Sequence, residues 1–399
     1  MIDTNKQKIE EILTRGVEDV TVKEELHKKL LSGKKVRLYL GIDPTGADLH
    51  LGHVVVLWKL RDFQDLGHEV ILLIGDFTAK IGDPTGRDTA RKVLTEKEIK
   101  ENFKYYKKQA SKILDFSKVK IKYNSDWLSK LKFEDILKLS SNFTVQQMIQ
   151  RDMFQKRISE NLPISLQEFM YPLMQGYDSV VMDVDLEIGG NDQMFNMLVG
   201  RDLQKIYNNK NKDVMTCKLL LGTDGRKMSK TFDNFVAIED APNDMFGKIM
   251  SIKDELMDHY FELTTRLSNT EISEIKNSLD NPRDMKARLA KEVVKLYYGD
   301  VEAVKAEEEF NKVHRDKELP SDMPVFETDK NNYPPLDLLF DTKLAESKNE
   351  AKRLIEGGGV EIINGDIKER VADWKKEISL KDGDIIKVGN RKFVKISLR

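Results

Sequence analysis

The chain has 399 residues, 40% hydrophobic and 34% charged; that balance suits a folded protein of roughly two to three domains and excludes a disordered chain. Its 66 Lys and Arg nearly cancel its 68 Asp and Glu, leaving a net charge of −2, so no global basic balance advertises nucleic acid and any such surface must be local. The single cysteine, Cys217, excludes an internal disulfide and a cysteine-based zinc site and fits a reducing compartment, and the histidines are scattered except for His50 and His53, with no metal-ligand spacing.

The opening MIDTNKQKIEEI is polar and helix-patterned, which argues against a signal peptide. The most apolar run, Val70 to Ile74, is too short to span a bilayer. A cytoplasmic enzyme without membrane contact is the expectation from these features.

In chain order, residues 5–31 read as short amphipathic helices closed by Gly33. Val36–Ile42 reads as a strand that runs into the loop Asp43-Pro44-Thr45-Gly46. Leu51, Val54, Val55, Trp58, Phe63 and Leu66 recur at helical spacing, and Gly67 closes that helix. Val70–Ile74 is a buried strand, so the first unit is βαβ. A helix over 95–114, a strand over 118–123, helices through 127–177, a strand over 179–187, a helix over 191–206 and a strand over 214–221 continue the alternation. The pattern predicts an α/β fold with a doubly wound, Rossmann-like parallel sheet over residues 1–239, with an insertion at about 125–165. Residues 240–315 read as a helical domain, 316–334 as a proline-containing linker, and 335–399 as a small α+β domain with an Asn364-Gly365 turn.

No GxGxxG and no Walker sequence follows the first strand, which excludes the usual dehydrogenase and P-loop readings. Instead the chain carries His50-Leu51-Gly52-His53 at a helix start. The two histidines project from one face, and Gly52 leaves the backbone open to a ligand. The helix N-terminus adds free N–H groups, so this is an anion site suited to ATP phosphates. A second run, Lys227-Met228-Ser229-Lys230-Thr231, follows the last strand. Two lysines on a loop can neutralise charge that develops on a departing pyrophosphate. A third feature is a polar stripe: Tyr171, Gln175 and Asp178 share one face of an otherwise apolar helix. Buried there, they need partners, either in the protein or on a ligand.

The two signatures together resemble the HIGH and KMSKS motifs of class I aminoacyl-tRNA synthetases. The stripe, with Tyr39-Leu40-Gly41-Ile42-Asp43 upstream and Gly189-Gly190-Asn191-Asp192-Gln193 downstream, is similar to the bacterial tyrosyl-tRNA synthetase family over the whole chain, with an S4-like RNA-binding tail. That resemblance implies tyrosine activation by ATP, then transfer to tRNA(Tyr). It implies that Asp178 and Tyr39 hold the substrate phenol, and that Tyr171, Gln175 and Asp83 hold its ammonium. Asp192 with Gly190 would bind the ATP ribose, and Gln193 would sit at the reacting carboxyl. Asp43, Thr45, His50 and His53 would line the path of phosphates and ribose. Arg87, Arg91, Lys227 and Lys230 would grip the pyrophosphate. Lys348, Lys352 and Arg353 would meet tRNA phosphates. Mg²⁺ would accompany ATP on phosphates and water, with no protein metal site and no tightly bound cofactor. A homodimer is implied, with Phe143, Val145, Met148, Ile149, Met153 and Phe154 as candidate interface. Leu40 and Val56 depart from the family's best-known members, which place a cysteine and a threonine near the ribose there. Trp127 and Cys217 are expected in the core.

Overall fold

The computed structural model describes residues 2–399 other than 47, 86–93, 230–231, 280, 316–318, 320–322, 366 and 390–391. It comprises two compact units, residues 1–303 and 304–399. The first holds a sheet of β1 (Val17–Val20), β2 (Arg37–Ile42), β3 (Glu69–Ile74), β4 (Val119–Tyr123), β5 (Leu186–Gly190) and β6 (Asp213–Cys217), in the order β1-β6-β5-β2-β3-β4. Strands β2 to β6 are parallel, and β1 pairs antiparallel with β6.

Helices α1 (Lys6–Ile12) and α2 (Lys23–Leu31) bracket β1. Helix α3 (Leu51–Asp65) joins β2 to β3, and α4 (Glu96–Ala110) joins β3 to β4. Between β4 and β5 lie α5 (Ser125–Leu128), α6 (Phe133–Ser140), α7 (Val145–Ile149), α8 (Asp152–Ser159) and α9 (Leu166–Met182). Helix α10 (Met194–Asn208) leads into β6, and α11 (Pro242–Met250), α12 (Met257–Thr264), α13 (Asn269–Ser278) and α14 (Pro282–Tyr298) follow. The chain winds outward from β2 through β3 and β4, then returns to the other side of β2 with β5 and β6. That reversal, between β2 and β5, is where open parallel sheets bind ligands at their strand ends.

The local causes are plain. Val70, Ile71, Leu72 and Ile74 of β3 are fully buried, each contributing about 2 kcal/mol of burial. Helix α3 buries Leu51, Val54, Leu57, Leu60 and Phe63 at helical spacing, and Gly67 at φ 88° turns the chain back into β3. Lys59, buried on α3, donates to the carbonyls of Ile12 and Arg15 at 2.7 and 2.8 Å, and so caps the C-terminal end of α1.

Several expectations change. The strand expected over 179–187 is helix as far as Met182; Asp183 at φ 47° ends it and the strand starts at Leu186. Val180 packs with Val199 and Leu203 of α10, so the apolar run serves a helix pair rather than the sheet. The strand expected over 214–221 stops at Cys217. The helices over 5–31 are interrupted by β1, which pairs with β6 along the sheet edge. The helical stretch 240–303 belongs to the first compact unit: Arg15 donates to the carbonyls of Glu262 and Thr265, and Lys218 pairs with Glu262 at 2.9 Å.

The boundary between units falls within α15 (Asp300–His314). The second unit contains β7 (Val325–Thr328), β8 (Asn332–Tyr333), α16 (Pro335–Asp341), α17 (Lys348–Glu356), β9 (Val360–Asn364), β10 (Ile367–Arg370), β11 (Ile378–Ser379), β12 (Ile385–Val388) and β13 (Lys392–Leu398). Its main sheet runs β10-β9-β12-β13-β7. The expected linker is therefore partly structural, since β7 pairs parallel with β13 and β8 pairs with β11. Ala351 and Ile355 of α17 are buried with Leu338, Leu339 and Ile386. Among the described residues no helix is long and apolar enough to cross a membrane.

His68, at the α3–β3 turn, accepts the Val36 N–H at Nδ1 at 3.3 Å and is buried. Burial, with Lys35 nearby, pushes its imidazole down to about 4. Below the ordinary value near 6.5 the unfolded chain binds the proton that the folded chain refuses, so this site withdraws stability as pH falls from about 6.5 to 4. A His68→Asn variant should show a flatter urea-midpoint profile across that window than the parent.

Candidate active site

The ends of β2, β3, β4 and β5 and one face of α9 converge at the reversal. Asp178 of α9 is 2% exposed. Its Oδ1 accepts the Trp127 indole N–H at 2.7 Å, and its Oδ2 accepts from Asn124 Nδ2 at 3.3 Å. Burial raises its carboxyl well above the usual range against the pull of these two donors, and Glu187 and Asp43 add to the rise. Such a group gains from any ligand that donates a hydrogen bond or brings a cation.

The network extends toward β2. Asn124 Nδ2 also donates to Thr78 Oγ1 at 3.1 Å, and Thr78 donates to Asp43 Oδ1 at 2.7 Å. Tyr171 donates to the other oxygen, Asp43 Oδ2, at 2.8 Å. Burial keeps the Tyr171 phenol protonated, with its ionisation pushed up further by Asp43 and Asp83. Gly75 makes this possible, because a Cβ there would sit 2.0 Å from Asp43 Oδ1. One helical turn along the stripe, Gln175 Nε2 donates to Glu187 Oε1 at 3.0 Å. Tyr39, fully buried on β2, shares a hydrogen bond of 2.8 Å with Ser179 Oγ.

A second group lines the rim. Gln193, just beyond β5, donates to Asp83 Oδ2 at 2.8 Å, and Asp83 Oδ1 accepts the Thr85 N–H. Arg151 donates to Thr85 Oγ1 at 2.7 Å and stacks on Phe195 with its guanidinium carbon 4.7 Å from the ring centre. Lys227 pairs with Asp192 at 3.2 Å, both half in solvent. A Cβ on Gly190 would come within 2.7 Å of Asp192 Oδ1, so the glycine admits that carboxylate.

His50 forms the N-cap of α3, with its backbone N–H directed at His53 Nδ1 at 3.3 Å and the two rings 3.8 Å apart. A Cβ on Gly52 would lie 3.0 Å from the His50 ring and 3.7 Å from Met228 Sδ. Met228 is buried. The two sequence signatures, which begin 177 positions apart, therefore meet at the start of α3. Ser229 N–H donates to Asn234 Oδ1 at 2.8 Å, which ties down that loop. The arrangement offers a helix N-terminus, imidazoles and a lysine for anions, beside a buried carboxylate for a donor group. Among the described residues no three His, Cys, Asp or Glu side chains converge as metal ligands.

The structure thus brings Tyr39, Asp43, Asp83, Tyr171, Gln175, Asp178, Asp192 and Gln193 to one end of the sheet. Thr45 stands in the Asp43 loop, where its N–H donates to the Asp43 carbonyl. Arg87, Arg91 and Lys230 lie outside the described residues. Asp43, expected along the phosphate path, also binds Tyr171. Lys227, expected on pyrophosphate, is paired with Asp192, the residue expected on ribose. Trp127, expected in the core, packs against it beside Tyr171 and Met174 and also donates to Asp178. Asn124, Thr78, Arg151, Ser179, Glu187 and Lys212 escaped the sequence reading, and only Asn124, set just after a strand, carried a signal. Lys348, Lys352 and Arg353 lie in the second unit on α17, where Lys348 pairs with Asp337 at 2.6 Å and Lys352 covers Trp374 at 4.6 Å.

Comparison with known proteins gives one consistent result. The family described as tRNA synthetases class I (W and Y) matches residues 31–315. A tyrosine–tRNA ligase of Thermotoga maritima is 46% identical over 97% of this chain and 96% of its own length. That of Moorella thermoacetica is 44% identical over 96% and 94%. Among solved structures, a tyrosyl-tRNA synthetase complexed with L-tyrosine from Archaeoglobus fulgidus aligns with a TM-score of 0.61 at 25% identity, covering 76% of this chain and all of that one. A C-terminally truncated mitochondrial tyrosyl-tRNA synthetase of Aspergillus nidulans shares the fold at a TM-score of 0.64.

The crowding at Gly75 makes a stability test. Gly75→Ala should cost about 1–3 kcal/mol, read from urea unfolding, because the Asp43–Thr78 bond must open to admit the methyl group. Gly46→Ala, where nothing lies within 4 Å of the added Cβ, should move the midpoint far less.

Proposed function

The chain belongs to the tyrosyl-tRNA synthetases, within class I of the tRNA synthetases, and on that premise we propose how its residues divide the reaction. The enzyme activates tyrosine with ATP and transfers it to tRNA. In the first step a tyrosine carboxylate oxygen attacks the α-phosphorus, forming a tyrosyl-adenylate as the bond to pyrophosphate breaks. The carboxylate is already ionised, so no general base is required. Catalysis is then positioning and electrostatic support of the five-coordinate phosphorus and the leaving group. In the second step a hydroxyl of the terminal tRNA ribose attacks the carbonyl and AMP departs.

The observation that carries the assignment is the buried Asp178 carboxylate beside Tyr39 at the floor of the reversal. The substrate phenol would donate to Asp178. The ammonium would be received among Tyr171, Gln175 and Asp83, where Asp43 and Asp83 add negative charge. Gln193 would guide the reacting carboxylate, and Asp192 with Gly190 the ribose. His50, His53, Gly52 and Thr45 would receive phosphates, and Arg87, Arg91, Lys227 and Lys230 the pyrophosphate. The Lys227–Asp192 pair supports an exchange of partners: ribose takes the carboxylate and pyrophosphate takes the ammonium. Mg²⁺ would travel with ATP on phosphate oxygens and water. These substrates and the buried, unreactive Cys217 thiol, pushed up to about 11 by burial, suit the cytoplasm.

Helices α16 and α17 and the five-stranded sheet of the second unit support an S4-like RNA-binding role. Arg353 is exposed beside Lys348 and Lys352 on α17, and the Arg370 guanidinium lies where a Cβ on Gly358 would be. RNA phosphates would meet this basic group. Homodimer formation is supported by large apolar side chains left in water at the insertion: Phe133 is 75% exposed, Val145 62% and Leu166 80%. Of the residues first expected there, Met148 and Phe154 are buried within the unit and leave the candidate interface.

Asp178→Ala should lower kcat/KM for tyrosine in ATP–pyrophosphate exchange by at least about a hundredfold, while the KM for ATP changes less than threefold. Equal loss in both would assign Asp178 to the scaffold. Charge reversal at Lys348 and Arg353 should raise the KM for tRNA in charging and flatten its salt dependence, with pyrophosphate exchange unchanged. Phe133→Asp combined with Leu166→Asp should convert a dimer to a monomer in light scattering at micromolar concentration.

A further inference from the structure

Below the tyrosine site lies a buried charge pair that the two chemical steps do not use. Lys212, immediately before β6, is fully buried and ion-paired with Glu187 of β5, itself 2% exposed. Lys212 Nζ donates to Ser179 Oγ at 2.9 Å, and Ser179 Oγ lies 2.8 Å from the Tyr39 hydroxyl. Room for this cluster comes from Gly200 of α10: a Cβ there would sit 2.5 Å from Lys212 Nζ and 2.9 Å from Ser179 Oγ. Well-packed apolar residues stabilise an interior at least as well as a buried ion pair. Here the pair stands one hydroxyl away from the residue assigned to the substrate phenol, and that position calls for a directional explanation.

Hydrogen bonds that aim the Tyr39 hydroxyl give one. Ser179 has a single hydroxyl hydrogen, and the ammonium can only donate to its oxygen. The hydrogen has two acceptors in range, Tyr39 at 2.8 Å and Glu187 Oε2 at 3.4 Å. With either acceptor, the Ser179 oxygen ties the Tyr39 hydroxyl to the Lys212–Glu187 pair. The Tyr39 hydroxyl, hydrogen-bonded to Ser179 and to Glu187, is thereby held in a fixed position. The other Glu187 oxygen accepts from Gln175 Nε2 at 3.0 Å. A carboxylate cannot donate, so this contact fixes the Gln175 amide and leaves its oxygen as the atom offered to an ammonium.

We propose that Lys212, Glu187 and Ser179 are positioning residues for tyrosine recognition: their hydrogen-bonded relay holds the Tyr39 hydroxyl in place for the substrate phenol, whose own hydrogen goes to Asp178. This rests on the assignment of Tyr39 and Asp178 to the phenol. Held in place, Tyr39 and Asp178 offer a polar pair that a hydroxyl satisfies and a bare ring leaves unpaired.

The test is pyrophosphate exchange by the full-length protein with tyrosine and with phenylalanine. Ser179→Ala should raise the KM for tyrosine about five- to tenfold and reduce tyrosine-over-phenylalanine discrimination by a similar factor. Its kcat and KM for ATP should stay within twofold, and Ser179→Thr should restore discrimination. A second variant, Lys212→Met with Glu187→Met, replaces the ion pair with apolar side chains and should lose discrimination in the same way, with folding checked by thermal denaturation. Unchanged discrimination in Ser179→Ala or in the folded double variant overturns the relay. Asp178→Ala separates the two ideas. If it loses discrimination and Ser179→Ala does not, the relay alone is wrong; if neither loses it, the phenol assignment is wrong too.

Discussion

Charge taken out of water governs this catalytic unit. Asp178, Glu187 and Lys212 are all essentially without solvent, and a charge there survives only with specific partners. Asp178 is served from α5 by Trp127 and from the end of β4 by Asn124. Glu187 is served from α9 and from the start of β6. Five elements are therefore held in register by polar demands that apolar packing would not impose. The same demands explain glycines that look unremarkable in sequence. Gly176 and Gly200 face one another across α9 and α10, where a Cβ on either would come within 3.3 Å of the other's backbone. That close approach brings Ser179 to Lys212.

Fold and chemistry differ in how far the sequence discloses them. Periodicity located β2, α3 and β3, because a short apolar run and a helical stripe leave few alternatives. It misplaced the end of α9, since Ser179 to Met182 contains two valines and reads equally as strand; the deciding event is Asp183 adopting a left-handed conformation. Strand β1 was invisible because only Val20 of its four residues is buried. Strand β7 was invisible for a similar reason, with one buried residue among charged neighbours.

The site shows the same division. His50, His53 and the Lys227 loop stand in compact motifs, and the stripe on α9 is periodic. Lys212 and Glu187 are not, because a charged residue near a strand reads as solvated surface until its depth is known. Trp127 was legible only in part: an indole suggests core, and its ring does pack there, but its single N–H becomes informative only when Asp178 is found 2.7 Å away.

The arrangement also separates recognition from turnover. The groups assigned to tyrosine lie in the interior, where partners are fixed before substrate arrives and little rearrangement is needed. Of the groups assigned to pyrophosphate and ribose, Lys227 and Asp192 lie at the rim, where they are about half exposed and form a pair worth little in water. A weak pair is easily exchanged, so a lysine held there can leave a carboxylate for a pyrophosphate as charge builds. A buried pair such as Lys212–Glu187 cannot be exchanged without leaving an uncompensated charge in the core. On the roles proposed, rigidly held polar groups at the floor would serve selection of the amino acid, and exchangeable charge at the rim would serve the leaving group. Both follow from how far each charge lies from water.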